Sequence, residues 1–321
     1  MRTLVISDLH LGQPSGVSVL ERPRPLERLL EALAGCERLV LLGDVVELEE
    51  VHSSHSFPIA EPVLRAVGAA LGPDREVLLL PGNHDHALVR DWSPAQGQGL
   101  EREALLAPVA WGPLLAQLVG WLAPAHVEVR YPGVWLAERI WASHGHYLNH
   151  YLRPVSTYGI LHRRHRQGET GPHPPADYER IPSPPARPHM RDGLPPGRWH
   201  DGLIPRQLAP LAVSMLGRQM RRHSLPAMAK VASDLGVDAD WVIFGHVHRR
   251  GPMPCDDLRA WGGRDGGPLL LNSGGWRYEP VIMHGMRPPH PYWPGGAVTI
   301  GSDGVPHSVG LLDDLTLADF R

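Results

Sequence analysis

Residues Leu80-Pro81-Gly82-Asn83-His84-Asp85-His86 decide how this chain folds and what it holds. The apolar run 77–80 predicts a buried strand that opens into a tight turn. The turn sets an amide oxygen, an imidazole and a carboxylate on consecutive residues at the rim of a sheet. That combination suits a metal beside a proton donor, provided other segments bring further ligands.

Working outward, the same arrangement recurs. Thr3-Leu4-Val5-Ile6 predicts a buried parallel strand, and Asp8-Leu9-His10 follows it. Leu26, Leu29, Leu30 and Leu33 recur at helical spacing, and Gly35 suits a C-terminal cap. The run 39–42 is the next strand and ends in Gly43-Asp44, which makes a βαβ unit. A second helix is expected over 61–71, with Pro62 in its first turn and Gly72 closing it. Downstream, 134–141 predicts one strand that runs into Ala142-Ser143-His144-Gly145-His146. Residues 206–235 are expected to be helical with a break at Pro226. The run 241–244 predicts a buried strand ending in Gly245-His246-Val247-His248, and 269–271 another ending in Asn272-Ser273-Gly274-Gly275-Trp276. Segments near 297–300 and 308–312 are expected to complete a second sheet. Strands alternating with helices predict an α/β protein whose ligands bind at the C-terminal strand ends.

Composition bounds the possibilities. The chain has 321 residues, 42% of them hydrophobic, enough for one large domain with insertions, and a single domain over 1–321 is expected. A net charge of −3, with Lys230 as the only lysine, gives no whole-chain field for nucleic acid. The two cysteines, Cys36 and Cys255, suit a reducing compartment. No export segment is visible at the N-terminus, so a cytoplasmic protein is expected. Residues 104–127 contain no Asp, Glu, Lys or Arg, which raises the question of a membrane span. Three prolines and two glycines speak against one. A helical apolar cap over 97–127 is expected instead, with peripheral contact to lipid as its outer limit. The stretch 165–205 is rich in Pro, Arg and His and belongs to an irregular insertion over about 150–235.

Singly, the polar fragments are weak signals: a strand-end Asp or His is often a cap, and Gly-Asp is common turn chemistry. Together they are specific. Asp8/His10, Asp44, Asn83-His84-Asp85, His144 and His246/His248 occur in order, each just after an expected strand. His246 and His248 share one side of an extended segment, so both rings can face one point. The chain resembles the calcineurin-like metallophosphoesterases, which are marked by Asp-x-His, Gly-Asp, Gly-Asn-His-Asp/Glu, His and Gly-His-x-His in that order. The match spans residues 8 to 248.

The resemblance implies a two-sheet sandwich flanked by helices and a dinuclear centre. Asp8, His10, Asp44 and His248 would hold one divalent metal. Asp44, Asn83, His144 and His246 would hold the other, with His144 preferred to His146 because the family places its ligand directly before the glycine. The mixed N/O donors and absence of thiolate suit Mn, with Fe, Zn or Ni as alternatives. A bridging Asp44 would keep two metals about 3.5–4 Å apart, for attack on phosphorus by a hydroxide held between them. His84 would stabilise charge or protonate the leaving oxygen, with Asp85 fixing its orientation. Arg90, His146 and His150, with His52 and His55 nearby, are candidate substrate contacts. The expected substrate is a phosphate-bearing small molecule. A second reading is a lipid-linked nucleotide diphosphate, because the wording around Asp8, Asp44 and Asn83 is similar to UDP-2,3-diacylglucosamine pyrophosphatases. A nuclease, a cyclic-nucleotide phosphodiesterase and a non-catalytic scaffold are the remaining readings.

Overall fold

The computed structural model describes residues 2–14, 18–89, 102–152, 217, 220–262, 267–278, 283 and 285–320. Two sheets face each other. The larger is ordered β11-β10-β1-β2-β3-β5-β4. Its strands are β1 (Thr3–Ile6), β2 (Arg38–Leu42), β3 (Glu76–Leu80), β4 (Ala104–Leu105), β5 (His126–Tyr131), β10 (Gly296–Ile300) and β11 (Pro306–Gly310). The smaller is ordered β6-β7-β8-β9, from β6 (Gly133–Ala137), β7 (Ile140–Ser143), β8 (Trp241–Phe244) and β9 (Leu269–Asn272). Strands β1, β2, β3 and β5 run parallel, as do β7, β8 and β9. The chain is thus the expected two-sheet α/β sandwich.

Period-two alternation explains why the central strands are apolar throughout. Val5, Val40, Leu42, Leu78 and Leu80 point between the sheets and meet Ile140, Ala142, Ile243 and Leu271. Leu4, Ile6, Leu39, Leu41, Val77 and Leu79 point the other way, beneath α1 (Pro23–Leu33) and α2 (Ser53–Leu71). On the outer face of the small sheet, Trp141, Val242, Phe244 and Leu270 pack under α4 (Leu225–Asp234). Both faces of each sheet are therefore covered, which is what uninterrupted apolar runs require.

Several local expectations change. The second helix starts at Ser53 rather than 61, because the His52 ring accepts from Ser54 N–H and caps it; Pro58 and Pro62 fall inside. The stretch expected as one strand over 134–141 is a hairpin, β6 and β7, which turns at Glu138-Arg139. The terminal segments join the large sheet instead of the second one: β10 pairs antiparallel with β1, and β11 extends that edge. Near Pro226 the helix changes type and does not stop: a π-helical turn, Met220–Ser224, passes into α4, with Pro226 in its first turn.

The segment expected as a helical apolar cap is only partly helical. Its described part forms β4, a 3-10 turn (Pro108–Ala110) and one helix, α3 (Pro113–Trp121). Leu115, Leu118 and Trp121 are buried in the core shared with α2, and Trp121 meets Phe57 edge-on at 4.9 Å. Among the described residues no helix is long and apolar enough to cross a membrane. Most of the expected 150–235 insertion lies outside the described residues, as does 97–101 of the expected cap.

Candidate metal centre

The polar segments after β1, β2, β3, β7 and β8 meet where the C-terminal ends of the two parallel strand sets converge. Beyond the strands the chains stay in register: Asp8 N–H donates to Gly43 O at 3.0 Å and His10 N–H to Asp44 O at 2.9 Å. Among the described residues, the non-glycine residues with positive φ are Asp8, His10, Asp44, His246 and His248, with φ between 46° and 68°. Left-handed backbone at Asp or His costs roughly 1 kcal/mol or more each and persists where the surroundings enforce it. Here it re-aims five side chains from the strand direction into one cleft. Gly82 makes room for them, since a Cβ there would overlap the Asp44 carboxylate and the His144 ring.

Three overlapping groups of ligand atoms form: Asp8/His10/His248 and Asp44/His144/His246 at the two ends, and His10/Asp44/His84 between them. His248 Nε2 lies 3.2 Å from Asp8 Oδ1 and 3.3 Å from His10 Nε2. His144 Nε2 lies 3.2 Å from Asp44 Oδ2 and 3.3 Å from Asn83 Oδ1. Asp44 Oδ2 is also 3.7 Å from His10 Nε2, so this carboxylate faces both clusters. Asp8 and Asp44 are essentially inaccessible to solvent. Two carboxylates buried together, with imidazole nitrogens and an amide oxygen turned toward them, are a donor set that fits divalent metal.

The electrostatics follow from this crowding. Burial pushes the Asp8 carboxyl up, but the facing His248 outweighs it and holds the group at about 2. Burial opposes a charge on His144, yet Asp44 raises it to about 9. Burial lowers His10 to about 4 and His246 to about 3, so both are neutral ligand-ready rings. His84 differs. Burial disfavours its charge, but Asp44, Glu47 and Glu49 lift it to about 10. It stands beside the ligands as an imidazolium, able to neutralise an anion or give up a proton.

A profile described as calcineurin-like phosphoesterase matches residues 1–250. The chain belongs to that family. It is a hydrolase acting on phosphate esters. No curated protein matches the chain.

Within this family frame the structure brings Asp8, His10, Asp44, Asn83, His144, His246 and His248 together and places His84 at their edge. It separates Asp85 from His84. The Asp85 carboxylate accepts from Gly82 N–H at 2.6 Å, Val45 N–H at 2.7 Å and Asp44 N–H at 3.3 Å. It fixes the turn, and the expected orienting contact to His84 is not made. Glu47 makes it instead: Oε2 lies 2.8 Å from His84 Nδ1 and 3.5 Å from His10 Nδ1. Glu49 flanks the other ring nitrogen of His84 at 3.5 Å. The signal for Glu47 was an acid three residues past Asp44, on the same strand-end segment.

The expected substrate contacts fare unevenly. Arg90 lies outside the described residues. His146 is buried, packed against His144 and Tyr147, with Nε2 3.3 Å from the Tyr131 hydroxyl; it is closed off from a substrate. His150 is half-buried on the 3-10 turn His146–Tyr151. His52 and His55 are exposed at the start of α2, and His52 serves as the cap. Sequence reasoning also missed Ser7 and Ser273. The Ser7 hydroxyl touches the Asp8 carboxylate and lies 2.7 Å from Ser273 Oγ. Asn272 Nδ2 donates to Gly245 O at 2.6 Å and ties the β8 loop to the β9 loop.

Proposed function

We propose that the chain is a dinuclear metal-dependent phosphohydrolase acting on a phosphate-bearing small molecule. The observation that carries this reading is the placement of Asp44, whose one carboxylate faces both ligand clusters. Asp8, His10, Asp44 and His248 would hold one cation, and Asp44, Asn83, His144 and His246 the other. Bound there, the metals supply a water of near-neutral pKa and neutralise charge on phosphoryl oxygens. The protein's own groups do the rest. The left-handed turns fix the ligands before substrate arrives. Glu47 holds the His84 ring through Nδ1, and the His84 Nε2 proton is then available to a phosphoryl or leaving-group oxygen. Mn is the preferred occupant, on the mixed N/O donor set.

Metal analysis of purified protein, with turnover of phosphomonoesters, diesters and nucleotide diphosphates in added manganese, tests this. Two bound metals and metal-dependent turnover are expected. Protein that binds no metal and turns over none of these substrates would refute it.

One observation favours the lipid-nucleotide reading as second. Leu105 is 54% and Val109 95% exposed. Leu105 pairs with Arg130 near the C-terminal end of β5, the end at which the site lies. An apolar chain could rest there, whereas α3 itself is core. A Val109→Glu variant that loses activity on a lipid-linked diphosphate while keeping it on a soluble one would support this reading. Equal loss or no loss would remove it.

A further inference from the structure

Two histidines of the second cluster are held in opposite senses. His144 Nδ1 lies 2.9 Å from Leu42 O. A carbonyl only accepts, so the ring donates through Nδ1 and presents Nε2 to Asp44 and Asn83. His246 Nε2 lies 3.1 Å from the side-chain oxygen of Asn149. That oxygen also only accepts, so His246 carries its proton on Nε2 and leaves the Nδ1 lone pair for a ligand bond. Metal-binding imidazoles generally depend on such a partner for tautomer and ring angle.

Asn149 is well placed to impose this choice. It lies on the 3-10 turn His146–Tyr151, directly after β7 and His144. Its neighbours Tyr147 and Leu148 are buried in the small-sheet core beneath α4, and Leu152 N–H donates to the Asn149 carbonyl at 3.3 Å. The turn is therefore anchored on both sides of Asn149, and it holds His246 while Leu42 on β2 holds His144.

We infer that Asn149 is a positioning residue for the second cluster: it selects the Nε2–H tautomer of His246 so that Nδ1 faces the cation. The inference rests on the dinuclear reading but has its own readout. Long-range proton–nitrogen NMR on metal-free protein with nitrogen-15 histidine reports the tautomer, with His246 assigned by the signal lost in His246→Gln. Wild type should show the Nε2–H form. Asn149→Leu should mix or reverse it, and Asn149→Asp, which keeps the acceptor, should restore it. In manganese titrations Asn149→Leu should leave one site intact and weaken the other by about 10–100-fold.

An unchanged His246 tautomer in Asn149→Leu overturns the proposal. If the second metal were lost with that tautomer unchanged, Asn149 would be a ligand and not a positioning residue. Should wild type bind fewer than two metals, the dinuclear reading fails, while the tautomer comparison still decides what Asn149 does to His246.

Discussion

Replacing Asp85 by alanine separates two roles that lie next to each other in sequence. Its carboxylate is fully buried and accepts two short backbone bonds, from Gly82 and Val45, and a longer one from Asp44. A buried N–H left without an acceptor costs about 1–3 kcal/mol. Burial raises the Asp85 carboxyl to about 6, with Asp44 adding to the effect, so part of its charge is absent near neutral pH. The lower half of the range therefore applies, and two orphaned donors with a weaker third give about 3–4 kcal/mol. That is a large share of the roughly 5–15 kcal/mol by which a domain is stable. Denaturant unfolding of metal-free Asp85→Ala should show this loss. The turn that carries Asn83 should loosen, and metal affinity should fall with it. Glu47→Gln keeps a side-chain oxygen for the Glu49 and Glu50 N–H groups, so its turn should hold, while turnover drops by about 10–100-fold as His84 loses its charged partner. The reasoning is refuted if Asp85→Ala unfolds like wild type, keeps its metals and loses only turnover; Asp85 would then act through His84.

Further outcomes follow from the same contacts. Asp44→Asn should reduce binding at both metal positions, whereas Asp8→Asn should empty one, as read by metal content after dialysis. Gly82→Ala places a methyl against Asp44 and His144; metal binding should fall while the circular dichroism of the fold is kept. Trp121→Ala should cost about 3–5 kcal/mol in unfolding free energy, since the ring fills the core against Phe57. A cost under 1 kcal/mol would show that α3 is not core. His290 is lowered to about 4 by burial, with Arg249 and Arg250 adding to it, and its Nδ1 accepts from Tyr292 N–H. Its folded pKa lies below the unfolded 6.5, so the unfolded chain binds more protons. Its contribution is present above pH 6.5 and is lost as pH falls toward 4. His290→Asn keeps the acceptor without the titration and should flatten the stability profile across that window.

Sequence alone determined β1, β2, β3, β8 and β9, their buried character and the order of the ligand residues, but not β4 or β5. A strand covered on both faces must be an unbroken apolar run, and a parallel sheet gathers its polar ends at one edge, so position along the chain already predicts position at the site. Tertiary structure decided what depends on distant partners. Whether the His84 ring meets Asp85 or Glu47 turns on how the β2 and β3 loops stack, and the shorter separation in sequence proved the wrong one. Asn149 carried no local signal, because its partner His246 lies 97 residues away on another strand. The terminal strands show the same limit. Their alternation predicts pairing but not with which sheet, and only the free edge of β1, left open once β2 has paired on its other side, places them.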